Sequence, residues 1–123
     1  MATINSTPLL VPSGSVSTVD NDTVAKAWVN FDGTTNSGGN CTINGSYNVS
    51  TVADEGSGDY TVNFTTDMAN DDYAAAGMCS NSGYSPKVVE HSRAVGNIRV
   101  KVGPYSGSFV DADSVSVIIT GSG

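Results

Sequence analysis

The only histidine, His91, sits in the run Glu90-His91-Ser92, which places an acid, an imidazole and a hydroxyl in consecutive positions. Nucleophilic catalysis needs these groups in a spatial relay, and neighbours along a strand point to opposite faces, so the run makes no triad. Carboxylates gather at Asp67, Asp71 and Asp72, and again at Asp111 and Asp113, where hard oxygen donors suit calcium. Neither group has the spacing of an EF-hand loop, and solvated turns are the better reading. No acid lies inside an apolar run, so nothing marks a carboxyl with the raised pKa that glycoside hydrolysis uses. Gly56 and Gly58 are turn glycines, since no helix follows them to cradle a phosphate. Cys41 and Cys79 are too few for a structural zinc site. They are either two buried thiols or one disulfide, which for so long a loop contributes about 4 kcal/mol in the chain-entropy model. The expectation is a protein without catalytic residues, metal or cofactor.

Aromatic side chains offer binding chemistry instead. Tyr84, Tyr105 and Phe109 fall in stretches of Ser, Gly and Pro. Exposed on loops they would stack on the sugar rings of a host glycan; otherwise they cover the ends of a thin core. Trp28 has the opposite parity from Ala25, Ala27, Val29 and Phe31. Either that strand is buried on both faces, or the indole packs on the chain's own arm or on another subunit.

The elements that must carry these residues are strands. Ala25, Ala27, Val29 and Phe31 alternate with Lys26, Trp28 and Asn30, and Cys41, Ile43, Gly45, Tyr47 and Val49 alternate with Thr42, Asn44, Ser46 and Asn48. Tyr60, Val62 and Phe64 form the clearest run, followed by Tyr73, Ala75, Gly77 and Cys79, then Ile98, Val100 and Val102, then Val115, Val117 and Ile119. A weaker strand lies around residues 87–90. Residues 54–59, Asp-Glu-Gly-Ser-Gly-Asp, separate two alternating runs and predict a hairpin. No helical period survives. The expected architecture is an all-β antiparallel sandwich or small barrel of six to seven short strands over residues 23–123. Residues 1–22 show neither period and hold Pro8, Pro12 and Gly14, which suits an extended arm with no core of its own. Its one apolar cluster is Leu9-Leu10-Val11.

The chain of 123 residues is one domain, with 38% hydrophobic and only 14% charged residues. Ser, Thr, Asn and 14 Gly fill the difference, as many strands joined by turns require. Twelve acids against five bases give a net charge of −7, which argues against a nucleic-acid backbone or an anionic membrane as partner. The longest early apolar run, Leu9-Leu10-Val11, is too short for a signal-peptide core, and the run at residues 115–119 is too short to span a bilayer. Synthesis in a cytoplasm is therefore expected. The Asn-x-Ser/Thr triplets at Asn5, Asn21, Asn40, Asn44, Asn48 and Asn63 are discounted as glycan sites on that ground.

Residues 25–34, AKAWVNFDGT, and residues 46–74, SYNVSTVADEGSGDYTVNFTTDMANDDYA, resemble a small β-rich module of tailed-bacteriophage structural proteins, found in tail fibres and other virion proteins. IRVKVG and the closing VSVIITG match it more loosely, and DYTVNFTT after AWVNF is the most specific part. The resemblance implies an all-β, non-enzymatic virion component, built as a homotrimer. Combined with the arm, it leads to the expectation of an accessory protein that decorates or cements the phage head. Its partners would be its own copies and virion proteins such as the major capsid protein. Leu9, Leu10, Val11 and Trp28 are the residues expected at contacts between chains. A tail-fibre or receptor-binding tip that meets a host glycan through Tyr84, Tyr105 and Phe109 is the alternative.

Overall fold

The computed structural model describes residues 24–80, 87–103 and 109–121. The proposed arm, residues 1–22, lies outside the described residues. Eight strands follow in order: β1 (Ala25–Ser37), β2 (Asn40–Tyr47), β3 (Val49–Gly56), β4 (Asp59–Phe64), β5 (Ala74–Cys79), β6 (Lys87–Arg93), β7 (Asn97–Gly103) and β8 (Val115–Thr120). They form one antiparallel sheet in the order β5-β8-β1-β2-β3-β4-β7-β6. The sheet curls until its edge strands, β5 and β6, meet. At that seam a Cβ on Gly77 would come within 2.9 Å of Val88 Cγ1, so only a glycine allows the approach. The result is all-β and antiparallel, a nearly closed barrel of eight strands rather than six or seven. Among the described residues β5 and β6 do not pair across the seam, so each edge strand is shielded by the other rather than joined to it.

The additional strand arises where the run from Cys41 to Val49 breaks. Asn48 adopts a φ of 58°, a left-handed conformation that Asn tolerates, and this separates β2 from β3. Its side chain repays the turn. Nδ2 donates to the carbonyls of Lys26 (3.2 Å) and Thr66 (3.1 Å), and Oδ1 accepts from the Thr66 amide at 2.7 Å. The expected hairpin is present: β3 and β4 pair from Val49↔Phe64 to Gly56↔Asp59.

Alternation puts Ala27, Val29 and Phe31 of β1 inside, with Tyr60, Val62 and Phe64 of β4, Ile98, Val100 and Val102 of β7, and Val115, Val117 and Ile119 of β8. Among the described residues, no polar or charged residue is fully buried, so the interior carries no unpaired charge to offset. Two tyrosines close the ends. Tyr60 packs edge-on to Phe31 with centroids 5.0 Å apart, and its hydroxyl lies 2.9 Å from both the Gly33 carbonyl and Asp111 Oδ1. Tyr73 packs edge-on to Phe64 at 5.9 Å and donates to the carbonyl of Ala94 (2.9 Å) or Asn97 (3.1 Å). Arg93 covers that second ring at 4.5 Å from its centroid.

Candidate interaction surface

Because Ala27 and Val29 face the core, the pleat turns Trp28 outward, and the register across the sheet decides what stands beside it. Trp28 pairs with Ile118 on β8 and with Tyr47 on β2, while Ile118 pairs with Ala76 on β5. One row across four strands is therefore Ala76, Ile118, Trp28 and Tyr47. The next row is Met78, Ser116, Asn30 and Gly45. Trp28 lays its ring edge over Gly45, where a Cβ would sit 3.4 Å from Cζ3.

Large apolar side chains in these rows remain in contact with water: Trp28 is 41% exposed, Ile118 45%, Tyr47 57% and Met78 79%. Between them runs a groove of about 520 Å³, lined by Trp28, Asn30, Ala76, Met78, Ser116 and Ile118. Its few polar groups bond to one another. Asn30 Nδ2 donates to Ser116 Oγ at 2.8 Å and Ser114 Oγ at 3.2 Å, and Asn30 Oδ1 accepts from Asn44 Nδ2 at 2.9 Å. None of the lining residues carries a charge. Such a groove has little to offer a polar ligand and suits an apolar side chain. Patches of this kind, contiguous and rimmed by polar residues, mark binding surfaces.

Of the residues expected at chain contacts, Trp28 is on the outer face of the barrel, while Leu9, Leu10 and Val11 lie outside the described residues. Ile118, Met78 and Tyr47 were missed by the sequence reading. The signal for Ile118 was its off-parity position beside Val117 and Ile119. Tyr47 shares the parity of buried Cys41, but the β1–β2 register slips by one residue between Asn30↔Gly45 and Phe31↔Ile43, and this bulge turns Tyr47 to the outer face beside Trp28. Tyr84 and Tyr105 lie outside the described residues. Phe109, 43% exposed, stacks under Lys101, whose Nζ is 4.8 Å from the ring centroid. Lys101 is on β7, and β2, β3 and β4 separate β7 from β1, so Phe109 and Trp28 occupy different parts of the surface.

Cys41 and Cys79 are separate thiols, on β2 and β5 with β8 and β1 between them. Burial, helped by the charges of Asp54, Asp111 and Asp32, pushes the Cys41 thiol up to about 11. Burial also raises Cys79. Neither is a thiolate nucleophile at neutral pH. Glu90 is bound by Arg93 through two bonds of 2.8 and 2.6 Å, which hold its carboxyl below the usual range. Exposed His91 stands at an irregularity of the β6–β7 register. Among the described residues, no three His, Cys, Asp or Glu side chains converge to hold a metal ion.

Comparison of the chain with protein-family models, with curated proteins and with solved structures returned no match.

Proposed function

We propose that the protein is a non-enzymatic structural component of a bacteriophage particle, an accessory protein that decorates or cements the head. The observation that carries this reading is the apolar groove beside Trp28, with no charge in its lining, on the outside of a barrel whose core is already filled. A side chain as costly to hydrate as Trp, aligned with Ile118 and Tyr47 across three strands, serves contact with another surface. The resemblance of AWVNF and DYTVNFTT to phage structural modules supplies the particle. In this reading the copies associate, as a homotrimer, and residues 1–22 tether them to virion proteins such as the major capsid protein. Deletion of residues 1–20 should leave a barrel that folds and no longer joins particles; unimpaired incorporation would contradict the reading.

A second reading, a receptor-binding tip that meets a host glycan, draws on Phe109, an exposed aromatic braced by Lys101. Copy number separates the two: hundreds per particle indicate a head component and a handful a tail one.

A further inference from the structure

We infer that the groove beside Trp28 is the seat of residues 9–11, Leu-Leu-Val, donated by a second copy of this chain. Three observations choose this occupant.

The first is area. With about 150–250 Å² for each large side chain, the fractional exposures of Trp28, Ile118, Tyr47 and Met78 leave about 450 Å² of apolar surface in water. A surface of this size is what a short extended apolar segment covers.

The second is charge. The chain carries −7, so barrels repel except where a contact brings no charge of its own. Residues 1–19 contain no Asp, Glu, Lys or Arg, and neither does the groove. Within that segment Leu9-Leu10-Val11 is the longest uninterrupted apolar run.

The third is reach. The described chain begins at Val24, one residue before β1, and its carbonyl accepts from Thr120 Oγ1 of β8 at 3.0 Å, at the end of the two strands that carry Trp28 and Ile118. Trp28 lies about 13 Å along β1 from that point, at 3.3 Å per residue. Residues 12–23 span up to about 40 Å when extended. A barrel of this size is about 30 Å across. The spacer is far longer than the chain's own groove requires and long enough to cross to a neighbour's.

The donor being another copy rests on the assembly reading above; the apolar seat itself does not. Trp28 is the only tryptophan, so its fluorescence reports the groove directly. A full-length Leu10→Asp chain keeps the reporter and disables the donor. A full-length Trp28→Ala chain is silent and keeps the donor. Both are first checked for a cooperative thermal transition. Titrating the silent chain into the reporter chain should shift the Trp28 emission to shorter wavelength, saturably. A silent chain that also carries Leu10→Asp should bind at least about tenfold more weakly, since a charge replaces a buried Leu. No shift on mixing overturns the inference, and so does a shift that survives the added Leu10→Asp. A wild-type emission that is already short and unchanged on dilution, with no shift on mixing, means the chain covers its own groove, and that too overturns it. Chains that join particles yet show no mixing shift refute the donated contact and leave the decoration reading standing.

Discussion

Replacing Tyr60 by Phe removes one oxygen from a side chain with no exposed surface and leaves the ring on Phe31 in place. That oxygen closes one end of the barrel. It lies 2.9 Å from the Gly33 carbonyl on β1 and 2.9 Å from Asp111 Oδ1 in the segment that crosses the end, and Asp111 also accepts from the Gly58 amide at 2.8 Å. Burial first, then the bond to Asp111, raises the phenol far above its ordinary ionisation, so it stays a donor over the whole working range. The hydroxyl has a single proton to share between two acceptors, so their contributions do not add. A hydrogen bond to a charged acceptor is worth about 1.5–3 kcal/mol, and truncation leaves the partner short of a donor. We therefore expect Tyr60→Phe to cost about 2 kcal/mol, which for a domain of about 100 residues lowers Tm by about 8–15 °C. Urea denaturation at neutral pH measures the cost. A double-mutant cycle with Asp111→Ala should return a coupling of about 1 kcal/mol. A cost below about 0.5 kcal/mol, or a coupling indistinguishable from zero, would refute the view that this hydroxyl pins the 109–113 segment to the barrel.

Two further outcomes follow from the titratable groups. Asp59 receives two bonds from Arg99, at 2.9 and 2.8 Å, with Lys101 4.0 Å away, and the Arg99 bonds hold its carboxyl below the ordinary value. A lowered folded-state pKa means that the unfolded chain binds more protons in acid. The contribution is whole above the ordinary carboxylate range, near pH 4, and fades as pH falls through the folded value. Stability curves of wild type and Asp59→Asn should thus differ at pH 7 and converge towards pH 2, as read by denaturant midpoints. Cys41, buried and with its thiol pushed up to about 11, should react with a disulfide reagent at pH 8 only as fast as the barrel opens. The intact mass should be the same with and without reductant, and rapid modification of Cys41 in the native protein would contradict the burial.

Much of the barrel was legible because a half-buried strand repeats every second residue, whatever it pairs with. The inward sets of β4, β7 and β8, and the β3–β4 hairpin around Gly56 and Gly58, follow from that local period and from turn chemistry. The break at Asn48 was not legible. A polar residue among alternating ones gives no sign of a left-handed turn until Lys26 and Thr66 supply partners for its amide. The run Tyr73, Ala75, Gly77 and Cys79 marked β5 as a strand, but not as an edge that meets β6 through Gly77, a contact between residues remote in sequence.

The same division holds for the interaction surface. That Trp28 points away from Ala27 and Val29 was determined by the sequence alone, since the pleat reverses each side chain relative to the next. That Ile118, Tyr47 and Ala76 stand beside it was decided only in the tertiary structure. Register between strands depends on the whole sheet curling to bury one face, and no single strand carries that information.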